Sequence, residues 1–432
     1  MRIAMLSYHT CPLATLGGKD TGGMNVYVRD LTIQLGSMGI QIDVFTRSQD
    51  EHVPHVLHDL GYGNRVVHIP SGPEVPLKKE ELVNYVPEFV NGILEFTKNK
   101  SIHYDLIHSH YWMSGRAAIE LRKVWNIPII HMFHTLGVMK QRVAQESEEI
   151  EGDYRINGEK EVIDQSNTIV AATQAELAQL QWLYQADVSK IVVIPPGVDL
   201  RHFYPIPPDE AKEFIKIPVC NKMLLFVGRI EPLKGLEILI KAIAIMRERL
   251  QSVSPQFCLA VIGGDPEITP QKMDSEMARL QLLREKYRLQ DFVAFLGQRD
   301  QNTLPYYYSA ANAVVVPSHY ESFGMVALEA MACGTPVVAS QVGGLAFLVQ
   351  DCVTGFTVPV DDPEALADRL LKLLCDEELR SKLGKQAAAF AQQYGWEHIA
   401  KRIVELYQNT LGDTGNRSLQ QENSASHFTQ VH

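Results

Sequence analysis

The feature that most constrains this chain is a rhythm. Short apolar runs bounded by turn residues alternate with segments of helical period, and the rhythm stops once near the middle and then restarts. Runs at 2–8, 41–46, 66–69, 105–111, 128–134 and 168–172 read as strands, with helices expected at 24–38 and 80–99. Apolar strands separated by helices are what a parallel sheet covered on both faces requires. The run Ile194-Pro195-Pro196-Gly197-Val198-Asp199, with Pro205, Pro207 and Pro208 soon after, is the densest cluster of breakers and marks a linker. Beyond it, strands are expected at 224–228, 258–262, 292–296, 313–317, 337–339 and 356–358. The expected fold class is α/β, with two Rossmann-like doubly wound domains at 1–197 and 198–395, a final helix at 396–411 and a polar, disordered tail at 412–432.

Composition narrows the partners. The chain has 432 residues, 46% of them hydrophobic, enough to fill two cores. Its 40 basic against 51 acidic residues are interspersed and leave a net charge of −11, so nothing resembles the basic stripe a nucleic acid needs. The charge runs Lys78-Lys79-Glu80-Glu81 and Glu146-Ser147-Glu148-Glu149 read as solvated faces. Six cysteines lie far apart with no C-x-x-C pair, which fits free thiols better than a disulfide framework or a zinc site. No stretch reaches the roughly 18 apolar residues of a membrane span, and the start lacks a signal peptide's apolar region. The expected location is cytoplasmic.

Ligands of open parallel sheets bind outside the carboxyl ends of the strands, so two such sheets in sequence predict a site in the cleft between them. In the first half, Gly17-Gly18-Lys19-Asp20-Thr21-Gly22-Gly23 precedes a helix, as an anion cradle or any tight strand-to-helix turn would. Asn25 either reaches the same ligand or satisfies the helix start. In the second half, Arg229 and Lys234 are two cations five residues apart after a strand, suited to a diphosphate or simply solvated. Glu321 stands at the mouth of an apolar helix and Glu329 lies within it; a buried carboxylate there needs partners, and ribose hydroxyls would serve.

Histidines gather at strand ends: His108, His110, His131 and His134. No Asp or Glu stands at metal-ligand spacing beside them, so no metal is expected, and only His134 is placed at the reaction centre. The chain has no G-x-S-x-G, G-x-x-x-x-G-K-[ST] or G-x-G-x-x-G motif and no candidate carboxylate pair in its first half. Hydrolase, NTPase, kinase and nicotinamide-oxidoreductase readings weaken accordingly, and a binding protein without turnover stays open as the competitor to an enzyme.

Taken in order, Asp20-Thr21-Gly22-Gly23, Gly228-Arg229 with Lys234-Gly235, and Glu321 to Glu329 ending in Gly334-Thr335-Pro336 resemble a known family. It is that of the retaining nucleotide-sugar glycosyltransferases of the GT-B fold, in the group that includes sucrose synthases, sucrose-phosphate synthases and inositol-phosphate glycosyltransferases. The resemblance covers about 1–411. It implies a UDP-glucose donor on the second domain, with Arg229 and Lys234 on the diphosphate, Glu329 on the ribose and Glu321 on sugar hydroxyls. Gly22, Gly23, Phe323, Gly324, Met325 and Val326 would complete the donor cradle, Arg299 would sit near the uracil, and His134 would lie against the donor sugar. His134, Arg229, Lys234 and Glu321 form the implied catalytic set, with no cofactor and no metal.

On the acceptor side, Lys79, Tyr111, Thr135 and Arg155 resemble the phosphate ligands of phosphosugar-using members, and Asn25 is placed with them. His134-Thr135-Leu136-Gly137 and Val86-Pro87-Glu88-Phe89-Val90 are similar to sucrose-phosphate synthases, whereas Gly22-Gly23-Met24-Asn25-Val26-Tyr27-Val28 is similar to the inositol-phosphate enzymes. The acceptor-side segments bear more directly on the substrate. The expected acceptor is therefore fructose 6-phosphate, with inositol phosphate or another phosphosugar as the alternative. The last helix is expected to cross back onto the first domain.

Overall fold

The computed structural model describes residues 1–14, 22–144, 152–216, 222–250, 257–264 and 275–428, with side chains described as far as 412 except at 275. Residues 17–21 of the glycine-rich loop, the acidic run 146–149 and Cys220 lie outside them.

The first sheet comprises β1 (Arg2–Leu6), β2 (Gln41–Arg47), β3 (Val56–Leu57), β4 (Arg65–Ile69), β5 (Leu106–His110), β6 (Ile129–Met132), β7 (Thr168–Ala171) and β8 (Ile191–Val193). Its order is β3-β4-β2-β1-β5-β6-β7-β8, parallel throughout except where β3 meets β4. Alternate β1 side chains go to opposite cores, Ile3 and Met5 to one and Ala4 and Leu6 to the other, as expected of a sheet buried on both faces. The strands β3 and β8 were not expected from sequence; at two and three residues they are too short to show a period of two.

The second sheet comprises β9 (Lys222–Val227), β10 (Phe257–Ile262), β11 (Val293–Gly297), β12 (Ala313–Val316), β13 (Val337–Ser340) and β14 (Gly355–Val358). It runs β11-β10-β9-β12-β13-β14, all parallel. Strand order reverses between β1 and β5 in one sheet and between β9 and β12 in the other. Loops leaving the carboxyl ends there turn to opposite faces and open a crevice.

Three expectations are corrected. The single helix at 80–99 is instead a short helix Lys79–Leu82, a 3₁₀ turn Val83–Tyr85 and a helix Val86–Lys100. Pro87 has no N–H to give and sits in the first turn of the second helix, where none is needed. The last helix runs Trp396–Phe428, so 412–428 continues it rather than forming a disordered tail; no proline interrupts the segment, and extending a formed helix avoids a new nucleation cost. Cys258 on β10 is disulfide-bonded, while Cys11, Cys333, Cys352 and Cys375 are free thiols.

The chain passes between the sheets twice, and the two passages lie side by side: Val198 N donates to Tyr394 O at 2.9 Å and Trp396 N to Val198 O at 3.2 Å. The last helix then packs on the first sheet through its buried stripe Ile399, Ala400, Ile403, Leu406 and Tyr407, the spacing of one helical face. Each isoleucine or leucine of the stripe removed from water contributes about 1.5–3 kcal/mol. The Trp396 ring lies 5.4 Å from that of Tyr27, and the Tyr407 hydroxyl is 2.7 Å from His108 Nδ1.

Candidate active site

The facing strand ends enclose a cavity of about 310 Å³ lined from both sheets. Gly22, Gly23, Asn25, Lys79, Tyr111, His134, Thr135, Arg229, Lys234, Arg299, Glu321, Phe323, Gly324, Met325, Val326 and Glu329 all line it; Arg155 does not. The two walls approach closely, since a Cβ on Gly23 would come within 3.4 Å of Met325 Cγ.

On the second-sheet wall, Lys234 closes a 3₁₀ turn, Pro232–Lys234, and its Nζ is 2.6 Å from Glu321 Oε2. Arg229 follows β9 and pairs with Glu231 at 2.7 Å. His319 N donates to Leu233 O at 2.9 Å, which ties the Lys234 turn to the loop carrying Glu321. Gly324 has φ +106°, and a Cβ there would meet Leu345 Cδ2 at 2.5 Å, so the turn into the helix Met325–Ala332 requires glycine. The first residues of that helix, Met325 and Val326, line the cleft beside Phe323.

Glu329, 5% exposed, accepts a hydrogen bond from the Tyr308 hydroxyl at 2.7 Å. Burial pushes its pKa up to about 7, with the Tyr308 bond pulling the other way. One oxygen of this carboxylate thus has a protein partner, where the sequence offered only ribose hydroxyls. Arg299 donates from Nε to the Tyr307 hydroxyl at 3.0 Å and from Nη1 to Gln298 O at 3.0 Å, which holds its guanidinium at the cleft edge.

On the first-sheet wall, His134 has φ +63°, and its carbonyl accepts from Ser322 Oγ of the opposite wall at 2.6 Å. Its Nε2 lies 3.0 Å from His110 Nδ1. Burial depresses the pKa of His108 and His134 to about 3 and holds His110 and His131 well below the ordinary value, so the cluster is neutral at pH 7. His134 therefore presents a neutral ring to a ligand. Among the described residues no group of three or more His, Cys, Asp or Glu side chains is arranged to hold a metal ion.

Two acceptor-side expectations change. Asn25 is 1% exposed, and its side chain is committed to the loop: Oδ1 accepts from Gly22 N at 2.9 Å, and Nδ2 donates to Thr10 Oγ1 at 2.6 Å and Cys11 O at 2.7 Å. It satisfies the helix start. Arg155 is fully buried one layer behind the wall, paired with Glu159 at 2.8 Å, and its Nη2 donates to Thr135 O and Oγ1 at 3.0 and 3.1 Å.

The sequence reading missed His9, Thr10, Lys140, Tyr320 and Ser322, all in the lining. His9 follows β1 at its carboxyl end, where the strand-end rule could have found it, and its ring lies 4.4 Å from that of Tyr111. Lys140, on the helix Gly137–Val143, carries no such signal.

Residues 208–390 match the family described as glycosyl transferases group 1, and 21–202 match glycosyltransferase family 4. The D-inositol 3-phosphate glycosyltransferase of Corynebacterium urealyticum is 38% identical over 95% of this chain and 96% of its own length. That of Kineococcus radiotolerans is 39% identical over 95% and 96%. The structure of sucrose-phosphate synthase from Thermosynechococcus elongatus superposes with a TM-score of 0.86 and 35% identity, over 95% of this chain and 99% of that one. With relatives at this level along almost its whole length, the chain belongs to the group 1 glycosyltransferases of the GT-B fold and is a glycosyltransferase.

Proposed function

We propose that the protein is a retaining glucosyltransferase that moves glucose from UDP-glucose to fructose 6-phosphate, giving sucrose 6-phosphate and UDP. The observation that carries this reading is the placing of cations on both walls of one cleft: Arg229 and Lys234 on one, Lys79 and Lys140 on the other. A phosphate-bearing donor and a phosphate-bearing acceptor each then meet positive charge. The relatives add support, because their names carry a phosphorylated acceptor in one case, inositol 3-phosphate, and a phosphorylated product in the other, sucrose phosphate.

In this reaction the acceptor hydroxyl attacks the anomeric carbon from the face that UDP leaves. The bond from that carbon to the β-phosphate oxygen breaks, and the departing phosphate takes the hydroxyl proton. Arg229 and Lys234 stabilise the charge that grows on the phosphate, helped by the helix start at Met325, so no carboxylate nucleophile takes part. Glu329 faces the ribose and Glu321 the sugar hydroxyls. The walls exclude water and hold the acceptor hydroxyl beside the departing phosphate on one face of the sugar. No metal takes part, since the two cations carry the charge.

The sequence relatives favour a second acceptor, inositol phosphate, with the donor chemistry unchanged. UDP release from UDP-glucose, measured with fructose 6-phosphate, fructose and inositol phosphate in turn, separates the readings. Turnover is expected with fructose 6-phosphate at a kcat/KM at least ~10-fold above fructose, the scale of one charge-assisted contact, and is expected to persist in EDTA. Preference for inositol phosphate would overturn the acceptor, and UDP binding without turnover on any acceptor would replace the enzyme by a binder.

A further inference from the structure

The acceptor wall is shaped from behind by a buried polar cluster outside the cleft. Glu159, fully buried on the helix Asp153–Gln165, accepts from Arg155 Nε at 2.8 Å, from Gly137 N at 2.9 and 3.0 Å, and from the hydroxyl of Tyr184. The Tyr184 hydroxyl also accepts from Val138 N at 3.1 Å. Glu159 and Tyr184 together therefore hold the first two N–H groups of the helix Gly137–Val143, which begins two residues after Thr135 and carries Lys140. The packing is tight: a Cβ on Gly137 would lie 2.9 Å from Glu159 Oε2 and 3.1 Å from Arg155.

Arg155 transmits this order forward. Its Nη2 fills one lone pair of Thr135 Oγ1 and also holds the Thr135 carbonyl. A hydroxyl that accepts from a guanidinium has its own proton left to donate elsewhere, and Thr135 lines the cavity. The Arg155 guanidinium also sits 5.1 Å from the centroid of the Tyr111 ring, the neighbouring part of the same wall.

We propose that Tyr184 and Glu159 are positioning residues that, through Arg155 and the start of the helix at Gly137, hold Thr135 as a hydrogen-bond donor toward the phosphate of the acceptor. This rests on the phosphorylated acceptor proposed above. Neither residue lines the cavity, and both act on the acceptor wall without touching the cations of the donor wall. Their removal alters acceptor recognition and leaves the nucleotide's grip intact.

The test is titration calorimetry of fructose 6-phosphate into the UDP-loaded protein, and of UDP into the free protein, for wild type, Tyr184→Phe and Glu159→Gln, with fructose titrated into the UDP-loaded wild type as well. The variants are expected to bind fructose 6-phosphate about tenfold more weakly, the scale of one lost hydrogen bond in a buried network, with UDP affinity within about twofold of wild type. Parallel weakening of both ligands would mean general loosening of the fold and would overturn the proposal, as would unchanged binding of both. Glu159→Gln, which keeps an acceptor for Gly137 N, serves if the phenylalanine variant does not fold. Wild-type protein that binds fructose as tightly as fructose 6-phosphate would overturn the acceptor reading itself, and that outcome is read without any variant.

Discussion

Replacing Lys234 with alanine is expected to lower kcat by about 10²–10³-fold, with a smaller change in the KM for the donor. Lys234 is held 2.6 Å from Glu321, each side chain about one-fifth exposed, and Arg229 is held by Glu231. Carboxylates thus orient both cations, and in the proposed reaction their attraction to the diphosphate strengthens as the leaving phosphate gains charge. The alanine variant is expected to lose that gain and also removes the cation paired with Glu321. The double variant Lys234→Ala with Glu321→Gln separates these effects: part of the loss is recovered if repulsion by Glu321 contributes. A rise in KM with kcat unchanged would show that Lys234 binds ground state and transition state alike, and would remove it from the chemistry.

The second large effect is on stability. Glu176 is 1% exposed in the first turn of the helix Gln174–Tyr184, where Thr173 caps the start and the Glu176 carboxylate reaches back to Ala172 N at 2.7 Å. Its other oxygen has no partner among the described residues. Burial pushes its pKa from 4.5 up to about 7, with the Ala172 bond pulling the other way. Between those two values the folded state keeps a proton that the unfolded chain has released, so stability falls as pH rises from about 4.5 to about 7 and stays low above. A shift of that size corresponds to roughly 3 kcal/mol. Glu176→Gln keeps the acceptor for Ala172 and carries no charge at any pH. It is expected to raise the thermal midpoint by several degrees at pH 8, with little change at pH 5. Equal effects at both pH values would show that the ionised carboxylate is not what destabilises the fold.

Much of the architecture was legible because parallel strands advertise themselves as apolar runs and because Pro and Gly punctuate them. The strand ends carrying His134, Arg229 and Glu321 can therefore be placed on one cleft from the sequence. Depth was not legible. Arg155 and Thr135 are 20 residues apart in sequence, and nothing in their spacing says that the guanidinium lies behind the hydroxyl rather than beside it. Asn25 carried two readings that only its three hydrogen bonds decide. Lys140, Glu159 and Tyr184 belong to helices whose faces are set by tertiary packing, and the disulfide at Cys258 cannot be read from cysteine spacing.

The most direct test of retaining transfer to fructose 6-phosphate is proton NMR of the product formed from UDP-glucose, following the anomeric signal as turnover proceeds. Front-face attack directed by Arg229 and Lys234 predicts an α-linked glucosyl group on the fructose unit, with its phosphate intact and one UDP released per linkage. A β-linked product, or free glucose as the main product, would contradict it.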